Sequence, residues 1–165
     1  MATIPTATTG TKLTAAHYLF MLGGAAGRKP CLIVHRSTTQ SFTDSVEATV
    51  LYNTVDRDLD GAYATGTGIF TCVTPGDYLF VACHQWAASG AGGRFLHIVS
   101  TGTITDAYTP LYTVGSPLTT APCNLTLQTR LAAGNTVQVK AYQSSGVALN
   151  TATTIVTLTG IFLGA

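Results

Sequence analysis

Gly68-Ile69-Phe70-Thr71-Cys72-Val73, Thr74-Pro75-Gly76 and Asp77-Tyr78-Leu79-Phe80-Val81-Ala82-Cys83-His84-Gln85-Trp86 follow one another without a break. The central Pro-Gly pair sets a turn, because proline presets its own φ and glycine accepts the conformations that a tight reversal needs. Beyond the turn, Tyr78, Phe80, Ala82, His84 and Trp86 alternate with Leu79, Val81 and Cys83. A period of two belongs to a strand and not to a helix. Both alternating sets are largely apolar, so neither face of this strand can be left in water.

The same pattern recurs on either side. Upstream, Cys31-Leu32-Ile33-Val34-His35 is a compact apolar run that reads as a buried strand, and residues 46–55 read as a weaker strand ending in an acidic turn. Downstream, Leu125 and Leu127 alternate with Thr126 and Gln128, and Val137, Val139 and Ala141 alternate with Gln138, Lys140 and Tyr142. Each is therefore half-buried. Residues 154–163 supply a closing strand. Eight to ten short strands between glycine and proline turns, with no stretch after residue 28 able to form a helical crossover, predict an antiparallel sandwich or jelly roll.

Composition agrees with this class. The chain has 165 residues, the size of one domain, and thirty threonines with seventeen glycines suit strands and tight turns. Only 9% of the residues are charged, and eight basic against seven acidic residues leave a net charge of +1. No basic cluster exceeds Arg28-Lys29, so nucleic acid is not an expected partner. A surface this poor in charge is prone to self-association, which points to an assembly. The four cysteines have no C-x-x-C spacing and the four histidines complete no zinc pattern, so metal and cofactor sites are not expected and the thiols read as reduced.

Residues 1–28 form a different region, read as an arm ahead of the domain at 29–165. A Thr-rich lead precedes Leu13 to Leu22, with Thr14 as N-cap and Gly23-Gly24 as the stop of a short helix, followed by a Gly/Ala hinge. Lys12 and Gly24-Ala25-Ala26 imitate a signal peptide, but His17 interrupts the apolar run and the lead is threonine-rich, not basic. The run is also too short to span a membrane. Leu13, Tyr18, Phe20, Met21 and Leu22 are apolar groups on a helix too short to be stable alone in water, so they need a partner surface.

Catalytic patterns are missing. Asp56-Arg57-Asp58-Leu59-Asp60-Gly61 begins like a calcium loop, yet Ala62, Ala64 and Thr67 occupy later ligand positions. Gly90-Ala91-Gly92-Gly93 lacks the lysine and helix of a phosphate loop. No serine elbow or placed nucleophile and base can be found. A non-enzymatic role is expected.

Several blocks carry a family resemblance. They are Tyr52-Asn53-Thr54-Val55 with Asp60-Gly61-Ala62-Tyr63, then Thr67-Gly68-Ile69-Phe70-Thr71-Cys72 with Pro75-Gly76-Asp77-Tyr78-Leu79-Phe80. Leu131-Ala132-Ala133-Gly134-Asn135-Thr136-Val137 and the closing Leu158-Thr159-Gly160-Ile161-Phe162-Leu163 complete the set. From about residue 29 to the end the chain thus resembles the globular head of complement C1q and, more distantly, tumour necrosis factor. It resembles in particular the C1q-like domains of structural proteins from phages of high-GC Gram-positive bacteria. There a Leu-Thr-Ala-Ala segment, here residues 13–16, precedes a proline-led first strand, here Pro30, and a Thr-Gln-Ser step, here residues 39–41.

The resemblance implies a ten-strand antiparallel jelly-roll sandwich assembled as a homotrimer about a threefold axis. It also implies that Tyr78, Phe80 and Ala82 point between the sheets, while Leu79, Val81 and Cys83, joined by Leu158 and Phe162 of the closing strand, point towards the axis. The function it implies is a trimeric tailed-phage surface protein, assembled in the host cytoplasm and docked through the arm onto a major capsid or tail protein. Without a collagen or heptad stalk, a capsid decoration protein is expected ahead of a tail knob that grips host surface glycans.

Overall fold

The computed structural model describes residues 31–108, 112–113, 122–152 and 156–165. The arm and its expected helix lie outside these residues, as do the docking positions Leu13, Tyr18, Phe20, Met21 and Leu22. Among the described residues there is no helix, and fourteen strand segments build three antiparallel sheets. In chain order these are β1 Leu32–His35, β2 Ser41–Phe42, β3 Ala48–Thr49, β4 Thr54–Asp58, β5 Tyr63–Ala64, β6 Ile69–Thr71 and β7 Gly76–Gln85. They continue with β8 Gly93–Ser100, β9 Asp106–Tyr108, β10 Tyr112–Thr113, β11 Pro122–Leu131, β12 Thr136–Gln143, β13 Leu149–Asn150 and β14 Thr157–Gly164.

One sheet has the order β11-β7-β14-β1-β4, with the doubly apolar β7 between β11 and β14. The other runs β10-β8-β12-β6-β5, with β3 also paired to β12 and β9 to β8. A two-stranded sheet of β13 and β2 stands apart from both. The pairs join segments far apart in sequence, as a jelly roll requires.

The core lies between the two large sheets. Leu32, Val34, Tyr78, Phe80, Ala82, Leu127, Leu131, Leu158 and Phe162 from the first meet Phe70, Leu96, Ile98, Val137, Val139 and Ala141 from the second. The rings of Phe70 and Phe80 lie 5.3 Å apart and those of Tyr78 and Phe162 5.2 Å apart, both edge-to-face. This is the preferred aromatic arrangement. Tyr78 also anchors the Pro-Gly turn, since its hydroxyl donates to the Thr74 carbonyl at 2.5 Å.

Two expectations are corrected here. Residues 46–55 are not one strand: β3 belongs to the second sheet and β4 to the first, and Val50 and Tyr52, fully buried, fill the crossing between them. The apolar pattern is that of a chain passing through the core. Ser45, at φ 57°, separates β2 from β3, because a left-handed residue cannot continue a strand. Leu158 and Phe162 do not face outwards. They pair with Ala82 and Tyr78 of β7, share the inward face of those residues, and are 0% and 5% exposed.

The acidic turn is used locally. Asp58 accepts hydrogen bonds from the backbone N–H groups of Ala62 and Tyr63 at 2.9 and 2.8 Å, Asp60 accepts from the Thr74 hydroxyl at 2.9 Å, and Asp56 pairs with His35 at 2.6 Å. The three carboxylates thus turn to different partners, four groups in all. Asp58→Ala is expected to destabilise the fold by about 2–3 kcal/mol, the worth of two charge-assisted bonds, read as a lower urea midpoint. Melting curves of the native chain with calcium and with chelator should coincide, and a calcium-dependent rise of several degrees would contradict this use of the turn.

Candidate functional site

The outward face of the β11-β7-β14-β1-β4 sheet gathers the expected axis residues of β7. Leu79, Val81 and Cys83 are half-buried there, flanked by Ile161, Thr159 and Thr157 of β14 and by Gln128, Thr126 and Asn124 of β11. Ile33 of β1 pairs with Thr159 and extends the patch towards Arg57. The patch centre is uncharged. Charges sit at its margins, with Arg130 and Asp77 paired at 3.0 Å on one side and His35 with Asp56 on the other. The outward neighbours of Val81 on β14 are therefore Thr157, Thr159 and Ile161, not Leu158 and Phe162. A strand has period two, and a one-residue displacement exchanges its faces.

The cysteines offer no reactive thiolate. Burial pushes the Cys31 thiol up to about 11, and burial likewise raises Cys72 and Cys83. None of the four described cysteines is joined in a disulfide; Cys31 donates to the Gly160 carbonyl and Cys72 to that of Thr74, each at 3.2 Å. A low-pKa nucleophile needs the opposite environment. His84 is equally unsuited to act as a base at neutral pH, since it is 0% exposed and burial holds its ring down to about 3.

The outward face of the other large sheet holds a cluster that the sequence did not reveal. Phe95 and His97 of β8, Tyr108 of β9 and Tyr142 of β12 place four rings side by side. Phe95 stacks on Tyr142 at 4.8 Å and His97 on Tyr108 at 3.8 Å. His97 Nδ1 lies 2.7 Å from Glu47 and Nε2 lies 3.0 Å from Asp106. The hydrogen bond from His97 holds the Asp106 carboxyl below its ordinary range. Lys140, paired with His97 across β12 and β8, lies 3.8 Å from Glu47. Strand β8 supplied the missing signal, since Leu96 and Ile98 alternate with Phe95, His97 and Val99; Asp106 follows nine residues after His97, but Glu47 and Tyr142 are far from it in sequence.

The sequence pattern of the C1q domain matches residues 32–163. No curated protein sequence matches the chain. Among solved structures, the globular domain of zebrafish complement 1qA is similar at TM-score 0.55 and 18% identity, covering 82% of this chain and 98% of that one. Murine APRIL, solved at pH 5.0, is similar at TM-score 0.60 and 12% identity, over 82% and 100%. Eiger TNF from S. frugiperda is similar at TM-score 0.54 and 13% identity, over 84% and 96%.

Proposed function

We propose, from the premise that this chain belongs to the C1q domain family, that it works as a non-enzymatic homotrimeric surface protein of a tailed-phage particle. Proteins of the C1q/TNF fold form homotrimers and are typically binding or structural domains. The observation that carries the reading is the uncharged, half-buried patch of Ile33, Leu79, Val81, Thr159 and Ile161 on one sheet. An apolar sheet face of this kind is suited to meet copies of itself. Residues 1–28 would then dock the trimer on the particle through Leu13, Tyr18, Phe20, Met21 and Leu22. Capsid decoration is the leading location, because a compact trimer fits the local threefold positions of an icosahedral shell. A tail knob that meets host glycans is the second, favoured by the ring cluster on the outward face of the opposite sheet, where Tyr108 is exposed.

Light scattering should give three times the 17.1 kDa chain mass. Val81→Asp should give a folded monomer, because Val81 points outward and its charge would be unpaired only in the trimer, at a cost of several kcal/mol. A monomeric native chain, or a Val81→Asp trimer of unchanged stability, would reject the interface. Particle location is tested separately. Deleting residues 1–28 should leave the trimer and its melting intact but abolish co-sedimentation with particles that lack the native protein. Hundreds of copies per particle mean decoration; a handful mean a tail position.

A further inference from the structure

We propose that the ring cluster formed by Phe95, His97, Tyr108 and Tyr142, with Glu47 and Asp106, is a binding site for a neutral pyranose glycan. The inference deepens the second location above, and rests on the trimer leaving this sheet facing outwards.

Three observations lead to that partner. First, the rings lie on the outward face and are not part of the core. Tyr108 is 58% exposed although it is a large aromatic side chain, while its stacking on His97 holds it in place. A rigid ring in water is a low-entropy contact for an apolar ligand face. Second, the rings alternate with hydrogen-bonding groups. Lys140 is paired with His97 across the sheet, and Thr49 with Lys140. A pyranose matches this alternation, because it has a flat C–H face and a rim of hydroxyls. Third, positive charge is offset by carboxylates. Glu47 and Asp106 both lie within 3 Å of His97, and Glu47 also lies 3.8 Å from Lys140. Such a site has no excess positive charge for phosphate or other polyanions. The pairing of His97 with two carboxylates also ties β8 to β9 and to the segment before β3, so the site is organised before the ligand arrives.

The test uses saturation-transfer NMR with a β-1,4-linked N-acetylglucosamine tetramer, maltotetraose as a second neutral sugar, and poly(glycerol phosphate) as the anionic comparison. The native chain should transfer saturation to the ring C–H protons of at least one neutral sugar. Tyr108→Ala should weaken that binding about tenfold or more, and Tyr108→Phe should retain it. Transfer to neither sugar, binding unaffected by Tyr108→Ala, or salt-dependent binding of the polyphosphate in preference to the sugars would overturn the assignment. Light scattering on the same samples keeps the two readings apart. A trimer that fails to bind sugar sinks only the glycan site, whereas a monomer that binds sugar through Tyr108 sinks only the trimer.

Discussion

Acidification from pH 7 towards pH 3 is expected to strip the fold of up to about 5 kcal/mol through one side chain, His84, a large part of the stability of an ordinary domain. The ring sits on β7 with no solvent exposure, edge-on to Phe42 at 5.7 Å and to Trp86 at 4.5 Å. Neither of its nitrogens has a hydrogen-bond partner, nor does the indole nitrogen of Trp86. Burial first, and the nearby Arg36 guanidinium second, lower its pKa from 6.5 to about 3. In the unfolded chain the same ring takes its proton near pH 6.5. Below that pH the unfolded state therefore binds more protons than the folded one. Stability is complete above pH 6.5 and falls by about 1.4 kcal/mol per unit until pH 3 is approached.

His84→Leu isolates this term, because carboxylates elsewhere titrate alike in both proteins. Urea midpoints at pH 7, 5.5 and 4, at one fixed protein concentration, should fall much less steeply for the variant. Parallel slopes would show that His84 is solvated or paired when the domain is folded. At pH 7 the variant should match or exceed the native chain, since replacing an unpaired buried polar group by an apolar one of similar size is favourable.

Phe80→Ala is expected to cost about 3–5 kcal/mol, the range for removing a fully buried phenylalanine. Its ring is 0% exposed, stacks on Tyr78 at 5.9 Å and meets Phe70 at 5.3 Å. Across the sheet it faces Gly160, where a Cβ would stand 3.1 Å from the ring. The glycine of Thr159-Gly160-Ile161 thus leaves the space that Phe80 fills. A hole there cannot close, because Leu32 and Phe70 are fixed on other strands. Val81→Ala, one residue on but pointing outward, should cost the monomer about 1 kcal/mol or less. A urea midpoint for Phe80→Ala close to that of the native chain would refute the facing assigned to β7.

Much of this architecture was legible because strand periodicity is a local property. Alternation separated Tyr78, Phe80 and Ala82 from Leu79, Val81 and Cys83, the resemblance placed the first set between the sheets, and the burial pattern of β7 agrees; β11 and β12 alternate in the same way. The block around Pro75-Gly76 was readable for a steric reason. A Cβ at Gly76 would fall 2.5 Å from the Phe162 ring, so the turn, the tyrosine and the closing strand are joined in one constraint.

Where an apolar run could serve two purposes, the sequence left the choice open. Residues 46–55 have the composition of a strand, but only the packing of Val50 and Tyr52 shows a chain changing sheets. Leu158 and Phe162 share the inward face of Ala82 and Tyr78 only through the register with β7, and a single step of register moves every side chain to the other side.

By itself, then, the sequence determined the all-β class, an antiparallel sandwich or jelly roll, the two alternating sets of β7 and the uncharged character of the second set, since each depends on period, turn chemistry and composition within a few residues. The tertiary structure alone decided which residues of β14 flank Val81, the burial of His84 without partners, and the meeting of Glu47, Phe95, His97, Asp106, Tyr108 and Tyr142. Those six come from four strands or their approaches, and His97 lies 50 residues from Glu47. Such a juxtaposition is written in the cross-strand pairing of the whole sheet, and no window of sequence contains it.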